Sequence, residues 1–192
     1  MKNNFPATIA SLCLALFLFG CDTHAPKPTS TDPGVPDALK VDLNKEKLAF
    51  SLKASGVQIY QCAPDTTDPE RKNKWLLKAP EAELFDDKGQ LVGSHGKGPS
   101  WKSVLKNDTS SVLGILPGGK PKGRADSPSK GAIPWLLLEA QGTGEGMFGK
   151  VTKIQRVETN GGKAPEGCCD ASGCCAEIRV PYTAIYYFYA PK

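Results

Sequence analysis

The sequence predicts an all-β protein with a single β-sandwich or barrel-like domain of about ten short strands. Glycine and proline account for 20 and 16 of the 192 residues, too many for long helices, because neither is tolerated inside a helix. Short apolar or alternating segments recur between turn residues, which is typical of sandwiches and barrels. Hydrophobic residues make up 40% of the chain, which is enough for a packed core.

The strand candidates of the first half are short and partly alternating. They are residues 47–52, 56–62, 74–78 and 83–85. The sequence DDKG at residues 86–89 is typical of a tight turn, in which glycine adopts a positive φ. Residues 90–95 then form the returning strand of a predicted hairpin.

The second half continues in the same way, with strand candidates at residues 101–105, 111–116, 133–141, 151–158 and 178–189. The continuously apolar run at 133–141 suits a strand that is buried on both faces. Pro181 has no N–H to donate, so we expect a bulge or a sheet edge at this position. The glycine-rich residues 114–123 and 142–149 lack the phosphate-loop pattern and are predicted to be ordinary loops.

The N-terminus has the features of a secretory signal. Lys2 supplies a basic start, and the apolar run at residues 9–19 is shorter than the roughly 20 residues of a membrane-spanning helix. The run ends in Leu18-Phe19-Gly20-Cys21, which resembles the signal of bacterial lipoproteins. That resemblance implies cleavage before Cys21 and a lipid on its thiol. An ordinary signal peptide that is cleaved elsewhere is the alternative.

The lipoprotein interpretation divides the chain into three parts. Residues 1–20 are the signal peptide, residues 21–38 a proline-rich tether, and residues 39–192 a single β domain. We therefore expect a protein of the bacterial cell envelope that is anchored in a membrane by its lipid and faces the periplasm or the exterior. The formal net charge of +4 is not concentrated in a basic stripe, so nucleic acid is not an expected partner.

His95 is the single histidine of the predicted domain, because His24 lies in the tether. Flanked by glycines and close to Trp101, it could act as a general acid or base. The simpler interpretation is a ring that bonds a loop carbonyl or contacts a ligand together with Trp101. No catalytic residue and no cofactor is assigned, because nucleophile and metal motifs are missing from the sequence. The expected function is a non-enzymatic binding or interaction module, with an enzyme using His95 as the alternative.

Several segments together resemble a family of secreted bacterial and fungal proteins known as domain of unknown function 3455. They are GVQIYQC (56–62), Trp75 followed by PEAELFDDKGQLVGSH (80–95), GPSW (98–101), IPWLLLEA (133–140), VTKIQRVETNGGKAP (151–165) and EIRVPYTAIYYFY (177–189). They fall in order and cover most of residues 48–189. The resemblance implies an extracytoplasmic, mostly β domain, and it implies no particular activity.

The chain has seven cysteines, of which Cys13 leaves with the predicted signal and Cys21 carries the predicted lipid. An oxidising compartment favours disulfides among the others. The disulfide candidates are Cys62, Cys168, Cys169, Cys174 and Cys175. Their odd number leaves at least one thiol free or paired with another chain.

The family resemblance implies that Cys62 pairs with Cys169. A local bridge from Cys168 to Cys174 or Cys175 is a further candidate. The alternative is a soft-metal site in which the clustered thiolates bind Cu(I) or Zn²⁺. No metal is assigned, because adjacent cysteines do not readily face one ion and the usual zinc spacing is C-x₂-C.

Overall fold

The computed structural model describes residues 34–67, 69–70, 72–167, 169 and 176–192. These residues form nine β-strands and two short 3₁₀ helices, and the strands belong to one sheet. The predicted all-β class is therefore confirmed. No helix of the described ranges is long and apolar enough to cross a membrane.

The strands are β1 (Glu46–Pro64), β2 (Asn73–Phe85), β3 (Leu91–Gly96), β4 (Ser100–Ser103), β5 (Ser111–Ile115), β6 (Gly123–Ala125), β7 (Trp135–Thr143), β8 (Lys153–Gly161) and β9 (Glu177–Pro191). The 3₁₀ helices are Asp37–Leu39 and Pro117–Gly119.

The sheet closes on itself to form an antiparallel barrel. The strands follow one another in the order β5-β4-β3-β2-β1-β9-β8-β7, and β5 also pairs with β7, for example Leu113 with Gln141. Short β6 pairs with the beginning of β7 and lies outside this ring. Closure provides every strand of the ring with two neighbours, which a sandwich would not do for its edge strands.

Two pairs of predicted strands are each one continuous strand in the structure. Residues 47–52 and 56–62 are parts of one strand, β1, and residues 74–78 and 83–85 are parts of β2. Gly56, at the apparent break in β1, has a packing role: a Cβ atom added there would lie 2.2 Å from the carbonyl oxygen of Glu81. Glycine therefore lets β2 approach β1 closely, which explains a glycine inside a continuous strand.

The barrel interior is the main hydrophobic core, and strand alternation explains its composition. On β9, Tyr182, Ala184, Tyr186 and Phe188 face inward. Aromatic rings pack against one another in this interior, where Trp101 contacts both Tyr186 and Phe188 edge to face. The ring of Phe188 stacks on that of Phe50 with centroids 4.8 Å apart, which contributes to the packing of β9 against β1.

A second core covers the outside of β7, β8 and β9. Here the N-terminal residues 35–41, which we call the strap, fold over the barrel wall, and Val35 and Leu39 are buried against it. The side-chain Nε2 atom of Gln155 donates a hydrogen bond of 2.8 Å to the backbone carbonyl of Leu39. Residues 35–38, assigned to the tether from sequence, thus pack on the β domain. Tether residues 21–33, the signal peptide and Cys21 lie outside the described residues.

Candidate functional site

A cavity of about 450 Å³ lies inside the barrel, near the loops that follow β3 and β5. This volume is in the range of natural small-molecule sites, which are about 300–1,000 Å³. Much of its wall is apolar, from residues such as Pro99, Ile133 and Leu138. His95 and Trp101, the two residues singled out from sequence as possible ligand contacts, both line it.

His95 is buried in β3, directly opposite Trp101 of β4. Its Nδ1 atom lies 2.9 Å from the carbonyl oxygen of Ser100. Since a carbonyl can only accept, Nδ1 carries the hydrogen and Nε2 carries the lone pair. The ring also meets the edge of Tyr186, with centroids 5.3 Å apart. His95 therefore ties the β3–β4 hairpin together, as the simpler interpretation of its sequence context expects.

The surroundings of His95 keep it neutral. Burial lowers its pKa from 6.5 to about 4, because the charged imidazolium would lose its hydration. The carbonyl of Ser100 opposes this shift, and the positive charge of Arg156 adds to it. No aspartate or glutamate is present among the described residues that line the cavity. An acid–base mechanism that pairs His95 with a carboxylate inside this cavity thus lacks the second group in the described wall. The carboxylates of Glu81 and Glu83 line a separate cavity that His95 also borders.

Arg156 is a cavity residue that the sequence analysis did not single out. It follows Ile154, an interior residue, by two positions on β8 and so faces the same side. Its Nε and Nη2 atoms donate to the carbonyl of Pro134 at 3.2 and 2.8 Å. Among the described residues its guanidinium has no carboxylate within ion-pair distance. The sequence does contain a sign of this position: in the alternating residues 151–158, Arg156 shares a face of the strand with Ile154, so a charged side chain is expected on the apolar side.

Several buried polar atoms around the cavity make no hydrogen bond to the described protein. Three belong to residues that line it: Gln58 Nε2, Trp101 Nε1 and the Tyr186 hydroxyl. The Tyr182 hydroxyl is a fourth; it lies near the side chains of Tyr186 and Gln58 and interacts weakly with both, but none of the three groups reaches normal hydrogen-bond geometry. Burial raises the pKa of Tyr182 strongly, and Tyr186 raises it further, so this hydroxyl stays protonated. A fifth such atom, Trp135 Nε1, belongs to the outer core.

The structure contains a disulfide between Cys62 and Cys169, the pairing that the family resemblance implies. Their Cα atoms are 5.8 Å apart, and the bond ties the end of β1 to the segment before β9. Its sulfur atoms are not available as thiolates for a metal. Cys168, Cys174 and Cys175 lie outside the described residues. Within the described part of the chain, no group of three or more His, Cys, Asp or Glu side chains could hold a metal ion.

The chain has no significant match among curated proteins or among solved structures. A family described as "Protein of unknown function (DUF3455)" does match, over residues 43–190. The match includes all nine described strands apart from Pro191 at the end of β9. It therefore covers the closed barrel, the cavity and the disulfide. The chain belongs to the DUF3455 family of proteins of unknown function.

Proposed function

We propose that this protein is a non-enzymatic binding module, and that its ligand is a small molecule held in the barrel cavity. The observation that carries the proposal is the set of unpartnered polar atoms on Gln58, Trp101 and Tyr186 around one cavity of about 450 Å³. Apolar walls with a few convergent polar groups are the usual composition of a small-molecule site.

The energetics of those polar atoms support a ligand. A buried donor or acceptor without a partner costs about 1–3 kcal/mol, and proteins generally avoid it. Phenylalanine in place of Tyr186 would have filled similar space without that cost. A bound molecule that forms hydrogen bonds with these groups would remove that cost. The same hydrogen bonds would fix the orientation of the molecule in the cavity.

The state of His95 favours binding over catalysis. Its Nδ1–H is committed to Ser100, and its low pKa leaves it almost entirely neutral at pH 7. A general acid works best with a pKa near the operating pH. We therefore assign His95 and Trp101 to the wall of the binding site and not to a reaction.

The binding proposal is tested with N-phenyl-1-naphthylamine, a neutral apolar dye whose fluorescence rises in apolar surroundings. Leu136 is half-buried in the cavity wall, so Leu136→Trp should occupy the cavity and weaken dye binding at least about tenfold. Leu113→Trp is the matched control, since Leu113 is exposed and outside the cavity lining. Absence of dye binding, or equal binding by the two variants, would overturn the proposal.

We also propose that the barrel is attached to a membrane of the bacterial envelope by a lipid on Cys21. The support is the sequence Leu18-Phe19-Gly20-Cys21 after an apolar run, followed by a proline-rich stretch. Cys21→Ala should move the protein from the membrane fraction to the soluble one. Cys13→Ala, which changes a cysteine inside the apolar run, should leave it in the membrane fraction. Membrane association of Cys21→Ala equal to that of the unaltered protein would refute the anchor.

A further inference from the structure

The charge of Arg156 is the starting point for identifying the ligand. Arg156 is partly buried, and two of its guanidinium nitrogens share one carbonyl, that of Pro134. Its third nitrogen, Nη1, makes no hydrogen bond within the described residues. A charge in such a position is costly unless an opposite charge approaches it. The described cavity wall supplies none, because it contains no acidic residue.

The unpartnered groups nearby are predominantly donors. Trp101 Nε1 and Arg156 Nη1 can only donate, and Gln58 Nε2 is the donating end of its amide. The Tyr186 hydroxyl can donate as well. A ligand that accepts several hydrogen bonds and carries negative charge is therefore complementary to this part of the cavity.

The remaining part of the cavity wall is complementary to an apolar part of a ligand. Leu77 and Leu116 line the cavity although their side chains are 59% and 37% exposed, which places apolar surface at the cavity mouth. Lys78, also in the lining, is neutralised by an ion pair with Glu177. Arg124 lines the cavity as well, but its side chain is exposed to water. Arg156 is thus left as the half-buried cation, and one such cation balances one negative charge. The flat fork of a guanidinium also matches a carboxylate better than a spherical anion.

We infer that the ligand is an amphipathic monocarboxylate, with its acid group held by Arg156 and its apolar part lying toward Leu77 and Leu116. This inference rests on the proposed function and deepens it, because it names the chemical class that the cavity recognises. The acid group would satisfy donors that the protein leaves unpaired, and the chain would cover apolar side chains at the mouth.

The test is displacement of N-phenyl-1-naphthylamine from the full-length protein by octanoate, 1-octanol and octylammonium, which differ in the charge of one end. We expect octanoate to displace the dye at a concentration at least about tenfold below that of octanol, since hydrogen bonds to charged groups are worth about 1.5–3 kcal/mol. Octylammonium should be the weakest competitor. This comparison needs no variant, so it holds even if a substitution prevents folding.

Substitutions then assign the preference to a residue. Arg156→Gln should remove the advantage of octanoate over octanol while octanol itself still competes. Arg179→Gln is the matched control, because Arg179 is outside this cavity and pairs with Glu81. It should retain the full advantage.

Each outcome has a distinct meaning. Octanol competing as well as octanoate would overturn the inference and leave the binding proposal standing. Octyl phosphate competing better than octanoate would overturn the assignment to a carboxylate. Retention of the octanoate advantage in Arg156→Gln would overturn the role of Arg156. Failure of the dye to bind at all would instead remove the proposed function itself.

Discussion

The imidazole of His95 lies flat against the indole of Trp101, with ring centroids 4.3 Å apart and 7° between the planes. The two residues face each other across the β3–β4 pair, on the inner side of the barrel. A neutral imidazole with this packing contributes both apolar contact and an N–H donor to Ser100. Its protonation would place a positive charge in the same region as Arg156, which the folded barrel disfavours.

The first prediction concerns stability in acid. Because the pKa of His95 is about 4 in the folded protein and ordinarily 6.5, the unfolded chain binds this proton more tightly. The stabilisation is complete above pH 6.5 and is lost as the pH falls toward 4. It amounts to about 3 kcal/mol in total, of which about 2 kcal/mol is lost by pH 5. Urea unfolding at pH 8 and pH 5 measures it.

His95→Asn is the control for this effect, since its amide can still donate near the Nδ1 position but does not titrate. Whatever its absolute stability, this variant should lose about 2 kcal/mol less than the unaltered protein between pH 8 and pH 5. Equal losses in the two proteins would show that His95 is not the acid-sensitive group.

The second prediction concerns the disulfide. Cys62 and Cys169 are separated by 107 positions in the sequence, and closing so long a loop restricts the unfolded chain. Cys169→Ser should lower the free energy of unfolding by about 4–5 kcal/mol in the chain-entropy description. Cys168→Ser changes the neighbouring cysteine and should have no comparable effect. Denaturant unfolding and mass spectrometry of a non-reduced digest check the result, and a Cys62–Cys168 peptide would contradict the pairing.

The third prediction compares two glycines. Gly56→Ala should destabilise the barrel by about 1–3 kcal/mol, because its Cβ would collide with the backbone of β2 at Glu81. Gly96→Ala is the matched control, since an added Cβ there meets no atom within 4 Å. Melting temperatures by circular dichroism distinguish the two. A greater loss in Gly96→Ala than in Gly56→Ala would mean that the β1–β2 spacing is not limited by Gly56.

The fourth prediction tests whether the strap belongs to the folded domain. Leu39, in the middle of the strap, is fully buried against the outer wall of the barrel, and Leu39→Ala should cost about 2–5 kcal/mol. Leu43→Ala removes a side chain that is 59% exposed and should cost far less. Equal unfolding midpoints in urea for the two variants would show that the strap contributes nothing to stability.

The fold class could be predicted because it depends on local features that the sequence displays. Alternation on β8 and the aromatic run of β9 specify strands independently of their partners. The lengths of β1 and β2 could not be predicted in the same way. Gly56 looks like a break when it is considered alone, and its packing role becomes evident only when Glu81 of the neighbouring strand is in place.

The candidate site was partly predictable. His95 and Trp101 were noticeable because they stand close together in a glycine-rich segment, and both line the cavity. Gln58, Arg156 and Tyr186 come from three other strands, and only closure of the ring brings them near His95. The strap could not be predicted for the same reason: the burial of Leu39 depends on β7, β8 and β9, which lie roughly 100–150 residues further along the chain.

The pairing of β1 with β9 has a consequence for how the protein is made. Glu46 lies opposite Pro191, in the pairing of β1 with β9. One edge of β1, the first described strand to be synthesised, therefore stays unpaired until β9, the last described strand, has been made. A nascent chain that lacks β9 would have open edges on both β1 and β8, which are surfaces prone to join other strands. Pairings between such distant segments also form slowly. The barrel is therefore assembled after synthesis of β9, and premature termination within β9 should yield an aggregating chain instead of a smaller domain.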